Sequence, residues 1–412
     1  MNAGRRQPGF HRRAGRRLAL LVAAGAMLGL AQAAPRPSAK PPSAVAPVVA
    51  QPPAVPAATN ATGEIERRVI GSIIFPERSA KPRESSAQKV LTPEVKTMTQ
   101  RALQFVRASQ QADGCWGDKQ FPKSSGVTAL ACMAFLAEGS LPRMGNYGKE
   151  LDNGVGYLLS CGKEDGMLVG KDTYEYGPMY DHAWSTFVLL QAYGNCPWYT
   201  DMKPKLSRAI QVLLRTQRKD GGWRYAATSL GAGDASVTAS TLYTIRLARM
   251  SGFAVPEDAI VRAQRFIERC GAFTSPSDEG TFSYREGGER GSPSVTGAGL
   301  MALYTRGLFD HPYVKPSTAR IAEVYQRAHV QEMTDGPQFP YFHFGCFYAS
   351  QAMYMAGDDF WVPWFTKYAA ALQARQAENG SWQDARGNTV YPTAISAMIL
   401  QAPLGYMPQY LR

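Results

Sequence analysis

Histidine is scarce in this chain: its 412 residues carry five, His11, His182, His311, His329 and His343. The cysteines are six, Cys115, Cys132, Cys161, Cys196, Cys270 and Cys346, and no two form a C-x-x-C pair. Together these absences speak against zinc ribbons, knuckles and similar clusters, so no metal or cofactor is expected. No dense Lys/Arg stripe with interleaved aromatics is present, which argues against a nucleic-acid partner. The apolar stretch Leu18–Leu30 is too short to span a bilayer.

What the N-terminus does contain has the order of a bacterial-type secretory signal. Arg5, Arg6, Arg12, Arg13, Arg16 and Arg17 form a basic region, Leu18–Leu30 an apolar core, and Ala31-Gln32-Ala33 an A-x-A cleavage site. A retained signal anchor is the competing reading. Removing residues 1–33 takes six arginines and no acid, so a formal charge of +12 becomes +6 and the mature surface is mildly basic. The expectation is an exported protein, periplasmic or secreted, with cell-envelope association an option. Residues 34–58 are a Pro/Ala tract expected to act as a disordered linker. Residues 59–91 form an N-terminal extension without a clear pattern, in which Val69–Phe75 could make a short strand. In an oxidising compartment some cysteines could pair; as small buried hydrophobes they need not.

From residue 92 to 412 one phrase returns about every fifty residues. A helix-like segment ends in Gln, a turn holds Asp-Gly or a variant, and Trp follows. The clear copies are Gln110…Gly114…Trp116, Gln217…Gly221…Trp223 and Gln376…Gly380…Trp382. Weaker copies place turns at Gly166, Gly280 and Gly336. Each turn leads into an apolar segment, and five of these stop at Gly139, Gly194, Gly252, Gly307 and Gly357, which suit the left-handed position after a helix. The segments before the turns are amphipathic: Val95, Met98, Ala102, Phe105, Val106 and Ser109 recur at three and four, with Lys96, Arg101 and Arg107 elsewhere. Thr92 reads as an N-cap and Pro93 as the first helical residue; Pro204 reads as the start of the third amphipathic helix. A period of this size predicts an array of helical hairpins. The fold class is therefore all-α: six hairpins in an α/α toroid, apolar helices inside and amphipathic ones outside. An open superhelix is the alternative.

The Gln…Gly-x-Trp phrase resembles the repeat of squalene–hopene and oxidosqualene cyclases, shared with protein prenyltransferase β subunits. It is similar above all to exported bacterial proteins that carry prenyltransferase and squalene oxidase repeats. The resemblance covers residues 92–412 and implies a single toroid in which the Gln and Trp tie an outer helix to the next inner one. Cyclases of this kind protonate substrate with an Asp-x-Asp-Asp-Thr-Ala motif. The nearest segment here is Asp234-Ala235-Ser236-Val237-Thr238-Ala239, which keeps the first Asp, the Thr and the Ala. Ser236 and Val237 replace the two central acids, so cyclase chemistry does not carry over, and Asp234 reads more simply as a helix cap. The prenyltransferase zinc pattern is not matched either, although His343 and Cys346 lie close in sequence.

In a ring of parallel inner helices all N-termini open on one face. Approaching those starts are Tyr174, Tyr176, Tyr180, Asp181 and His182; Arg285, Glu286 and Arg290; Tyr341, His343, Phe344, Cys346 and Tyr348; and Tyr391. His182, Asp181 and Asp234 are the catalytic candidates. Tyr176, Tyr180, Glu286, Tyr341, His343, Tyr348 and Tyr391 are the ligand-binding candidates. The carboxylates Asp181, Asp234, Glu286 and Asp384 could form an acid/base pair of the polysaccharide-cleaving kind. The aromatics could equally plug the ring. The functional expectation is a toroid that binds a ligand or protein partner at its central cavity; a terpenoid-cyclase-like or polysaccharide-active enzyme is the alternative.

Overall fold

The computed structural model describes residues 89–171, 177–271, 279–288, 291–327 and 342–407. The signal-like segment, the Pro/Ala tract, Val69–Phe75, Tyr174, Tyr176, Arg290, His329 and Tyr341 lie outside them. Among the described residues the regular structure is helical, with isolated β-bridges only. Twelve α-helices follow in chain order: α1 (Pro93–Ala108), α2 (Ser125–Glu138), α3 (Gly148–Ser160), α4 (Pro178–Ala192), α5 (Met202–Arg215), α6 (Ala235–Met250), α7 (Glu257–Cys270), α8 (Pro293–Tyr304), α9 (Val314–Arg327), α10 (Phe342–Ala356), α11 (Asp358–Gln373) and α12 (Val390–Leu400). No described helix is long and apolar enough to cross a membrane.

The even-numbered helices form the inner ring. Each packs on the next, from α2 through α4, α6, α8, α10 and α12, and α12 packs back on α2. The ring is therefore closed, and the open superhelix is excluded. Their composition explains the position: in α2 every residue from Ser125 to Ala137 is buried, and α12 is buried nearly throughout. Small residues let the backbones approach. At Gly297 in α8 a Cβ would stand 2.8 Å from the backbone nitrogen of Ala349 in α10. The outer helices bury one face only, as α1 does with Val95, Met98, Ala102, Leu103 and Val106.

The repeated phrase supplies the fastening. Trp116, Trp223 and Trp382 are buried, and each indole Nε1 donates to a carbonyl near the end of its own outer helix: Val106 at 2.6 Å, Leu213 at 2.7 Å and Leu372 at 2.8 Å. Each carbonyl also accepts from the chain just after its helix, from Ser109 N, Thr216 Oγ1 or Arg375 N, so the indole is a second donor there. The backbone N–H of each Trp donates to a threonine hydroxyl in the first turns of the following inner helix, Thr128, Thr238 or Thr393, at 2.9 Å. The glutamines do something different from the expected outer-to-inner tie. Gln110 donates to Glu150 O, Gln217 to Ala259 O and Gln376 to Met98 O, so each reaches the next outer helix around the ring.

The turn glycines explain why the phrase tolerates no other residue. Gly114, Gly221 and Gly380 have φ between +87° and +92°. A Cβ there would lie 2.5 Å or less from a carbonyl oxygen of the next outer helix, at Asn153, Arg262 and Arg101 respectively. Positive φ and close approach both require glycine. Thr92 caps α1 and Pro93 opens it, as read from sequence. Helix α5 begins at Met202, two residues before Pro204. Gly139, Gly194, Gly252, Gly307 and Gly357 all have positive φ at the inner-helix ends.

Candidate functional site

The starts of the inner helices are joined to one another at one end of the ring. Asp181 on α4 accepts from Ser124 and Ser125 at the start of α2, at 3.0 and 3.3 Å. Met179 N donates to Tyr225 O, in the approach to α6, and Ala235 N donates to Tyr284 O, in the approach to α8. Asp118, in the approach to α2, accepts from the backbone N–H of Thr389, Val390 and Tyr391 at the start of α12. All four links lie on the N-terminal side of inner helices, so this face is where their dipoles and their approach loops converge.

Aromatic rings fill the ring's axis just below that face. Helices α4 and α10 sit opposite one another. Trp184 of α4 meets Phe347 of α10 at 5.5 Å between centroids, edge to face. One turn nearer the mouth, Tyr180 meets Phe344 at 6.0 Å. Deeper, the Tyr243 hydroxyl of α6 donates to Gln351 Oε1 of α10 at 2.9 Å. Side chains from facing helices thus touch across the centre, and at these levels the residues build a plug, not an open lumen. Trp184, Phe187 and Tyr243 belong to it, although in sequence they read as ordinary core.

The top level of the plug, with its neighbours, is a floor of partly buried rings, here called the basin: Tyr180, Tyr225, Tyr284, Phe344 and Tyr391. Tyr180 and Tyr225 are 5.9 Å apart, and a hydrogen bond joins the hydroxyls of Tyr284 and Tyr225. Buried Tyr348 stands behind, 5.1 Å from Phe344. Burial and the neighbouring anionic centres raise the Tyr180, Tyr284, Tyr348 and Tyr391 phenols, so all are neutral donors near pH 7. Tyr225 and Tyr284 each stand two residues beyond the buried aromatic of their repeat, Trp223 and Phe282. Asp118 and Asp384 stand two beyond Trp116 and Trp382. That spacing was the signal in the sequence that could have found them.

Asp234 lies beneath the basin, fully buried at the start of α6. One oxygen accepts from Val237 N at 2.9 Å and from Ser236 Oγ at 2.8 Å, the geometry of a helix cap. The other oxygen, Oδ2, is buried without a partner at hydrogen-bond distance. Burial raises the acid's pKa; the bonds from Val237 and Ser236, the Tyr284 hydroxyl and the charge of Arg224 oppose it and lose. Ser236, which stands where a cyclase has an acid, is spent on Asp234 itself.

The other candidates are placed apart from this basin. The ring of His182 is fully buried: Leu168 N–H donates to its Nδ1 at 3.0 Å, and its Nε2 lies 3.1 Å from Ala209 O. An N–H donor on Nδ1 fixes the proton on Nε2, so both nitrogens are committed to backbone. His182 does in repeat two what Thr128, Thr238 and Thr393 do elsewhere, and neither nitrogen is free to move a proton. Burial lowers its pKa to about 4. His343 Nδ1 lies 3.1 Å from Ser396 Oγ, and burial brings that ring to about 4 as well. Cys346 bonds the Tyr325 hydroxyl instead, so His343 and Cys346 point to different partners. Among the described residues no three His, Cys, Asp or Glu side chains converge as metal ligands. Asp181, raised to about 6 by burial, is held by the start of α2. Glu286 pairs with Arg269 at 2.8 Å on the surface. Asp384 accepts from Asn388 and Arg386 within its own loop. The four carboxylates are therefore engaged separately and not assembled as an acid/base pair. Tyr176 and Tyr341 lie outside the described residues. A shallow surface cleft of about 510 Å³, lined by Asp118, Lys119, Lys123 and Thr389 among others, sits at the seam between the first and last repeats, away from Asp234.

No family model matches the chain, and no curated protein does. Solved structures do. The type II terpene cyclase MstE from Scytonema is 13% identical, with a TM-score of 0.54, over 77% of this chain and 100% of its own. A glycosidase variant is 10% identical, with a TM-score of 0.55, over 78% of this chain and 99% of its own. An alpha-amylase from Clostridium perfringens is 11% identical, with a TM-score of 0.52, over 74% and 97%. At such identities the likeness speaks for the fold, which is the α/α toroid of the terpene-cyclase and glycosidase type. One MstE structure holds geranylgeranyl dihydroxybenzoate as its substrate.

Proposed function

We propose that the chain is an exported toroid that binds a ligand with an apolar body at the tyrosine-lined mouth of its inner ring. The observation that carries this is the cluster of Tyr180, Tyr225, Tyr284, Phe344 and Tyr391, partly exposed at the top of a filled axis. Exposed aromatic faces with neutral hydroxyl donors suit a ligand that is mostly apolar and uncharged where it touches them. The separate engagement of Asp181, Glu286 and Asp384 favours an isoprenoid-like body over a polysaccharide to be cleaved, because hydrolysis needs two facing carboxylates.

One observation favours a second reading, an enzyme of the terpene-cyclase type. Asp234 is buried with one oxygen outside hydrogen-bond distance of a partner, and burial raises its pKa beside phenols, which is the direction a proton donor needs. Equilibrium dialysis of the mature protein against labelled geranylgeraniol and against cellohexaose tests the first reading. Saturable uptake of the isoprenoid alcohol, weakened in Tyr180→Ala and Tyr284→Ala, is expected. Uptake of the sugar alone would overturn it. Product analysis of the dialysed alcohol, with Asp234→Asn alongside, decides the second.

A further inference from the structure

Arg218 has no part in the fastening of the repeats or in the basin. It follows Gln217 after α5, where repeat one has Gln111. There the Gln111 amide donates to Pro122 O at 2.9 Å, a neutral donor meeting a loop carbonyl. Repeat three puts a guanidinium in that place. Arg218 is 3% exposed, and its Nε is buried with no partner. Among the described residues no carboxylate forms an ion pair with it. Asp220 is near enough to act on its charge, but its two oxygens are taken by the N–H groups of Gly222 and Gly233. Asp234 also acts on it from a distance, its own pKa raised by burial. The nearby cation is Arg224, whose like charge, added to burial, pulls the Arg218 pKa down.

Burying a guanidinium whose nearby carboxylate is bonded elsewhere is costly, and a second arginine adds to the cost. The local backbone accommodates this group closely. Gly231 has φ +80°, and a Cβ built there would stand 3.0 Å from Arg218 Nη1 and meet nothing else within 4 Å. Gly231, in the loop from Tyr225 to Gly233, therefore packs directly on the guanidinium. An unsatisfied buried donor such as Nε points to a missing partner, and a guanidinium fork matches a planar or tetrahedral oxyanion.

We propose that Arg218 and Arg224 form an oxyanion site, for a carboxylate or a phosphate monoester, at the edge of the aromatic basin beneath the Tyr225–Gly233 loop. Arg224 directly precedes Tyr225 in the chain, and its charge reaches both Arg218 and Asp234. Taken with the reading above, on which this step rests, the ligand has an apolar body on the tyrosines and an anionic head on the two arginines.

Four probes separate the parts: inorganic phosphate, dodecyl phosphate, laurate and dodecanol, each followed by calorimetric titration and thermal melting. Phosphate is expected to bind and raise the melting temperature. Dodecyl phosphate or laurate should bind more tightly than dodecanol, and whichever is tighter names the head. In Arg218→Met the unliganded protein should melt higher, because an unpaired buried cation is gone, while phosphate binding weakens roughly tenfold or more. Arg224→Gln, closer to the surface, should weaken phosphate binding without the gain in melting temperature. A lower melting temperature in Arg218→Met with phosphate binding unchanged would mean that a carboxylate of the chain itself holds the guanidinium, and the proposal falls. Dodecanol binding with no response to any anion also overturns it. Phosphate binding without dodecanol binding instead removes the basin reading and leaves the anion site standing.

Discussion

The carboxylate of Asp118 accepts the backbone N–H of Tyr391 at 2.6 Å, although 273 positions separate the two residues. Its other oxygen takes the N–H groups of Thr389 at 2.7 Å and Val390 at 2.9 Å. One side chain from the first repeat thus satisfies the exposed donors of the last inner helix, and the ring closes on it. Gln376 to Met98 O, Arg101 to Ala377 O and Gln401 to Ala134 O cross the same seam.

Asp118→Ala should therefore cost about 2–3 kcal/mol, more than an ordinary cap, because three N–H groups lose a charged acceptor at a buried helix start. Urea denaturation followed by circular dichroism measures it. Asp118→Asn should recover part of the loss. A change below about 0.5 kcal/mol would show that the other seam contacts hold the closure alone.

The three tryptophans separate packing from hydrogen bonding. Trp223→Ala should lose about 3–5 kcal/mol, since the ring is fully buried. Trp223→Phe keeps much of the volume but leaves Leu213 O only the longer bond from Thr216 Oγ1, and should lose a smaller amount, about 1 kcal/mol beyond the volume change. Denaturant midpoints of the pair give both numbers. A Trp223→Phe variant as stable as the parent would mean that the indole N–H contributes nothing, and equal losses in the two variants that packing does not.

Much of this architecture is legible in the chain because it is written in backbone chemistry that repeats. Gly114, Gly221 and Gly380 signal turns by residue type alone, and the apolar run after each signals a buried helix. The seam is not legible: Asp118 looks like any loop acid until Tyr391 is brought to it. Gln110 was read as reaching an inner helix, and it reaches the next outer one, because sequence spacing shows that a contact recurs without showing which neighbour it meets. His182 replaces a threonine, and nothing in a lone histidine reveals that its two nitrogens will face Leu168 N and Ala209 O. Trp184 and Phe347 come from opposite walls, so their meeting on the axis depends on the diameter of the closed ring. Arg218 looks like a solvated turn residue, and only its burial sets it apart.

The buried histidines make stability depend on acid. His182 and His343 fall from 6.5 to about 4 in the folded protein, so the unfolded chain binds more protons below 6.5. Their contribution is complete above pH 6.5 and is lost as the pH falls towards 4, by roughly 3 kcal/mol per ring at most. Asp181 acts in the opposite sense. Its pKa is raised from 3.8 to about 6, so the folded protein holds that proton better, and lowering the pH from 6 to 4 relieves a charge penalty. Asp181→Asn should therefore make the acid loss steeper. Nitrogen-15 NMR of the histidine rings checks the assignment: His182 should keep a neutral Nε2–H form from pH 8 to 5. A titration near 6.5 would overturn it.

The same accounting bears on squalene, which this protein is expected not to cyclise. Protonating an unactivated alkene requires a strong, well-supported acid facing a dry cavity large enough for the folded chain. Here the axis is filled where Trp184 meets Phe347, and the acid motif reads Asp234-Ala-Ser-Val-Thr238. Ser236 donates its proton to Asp234 at 2.8 Å and cannot release one to carbon at neutral pH, and Val237 supplies only a backbone N–H. Asp234, its pKa raised by burial, has no neighbouring acid to strengthen it. Incubation of the mature protein with squalene, followed by gas chromatography and mass spectrometry, should give no hopanoid. Asp234→Asn should retain the α6 cap through its remaining carbonyl and fold normally, with stability that no longer changes as Asp234 titrates. A hopanoid product that disappears in Asp234→Asn would mean that one raised carboxylic acid among phenols suffices, and that the axis opens when the ligand enters.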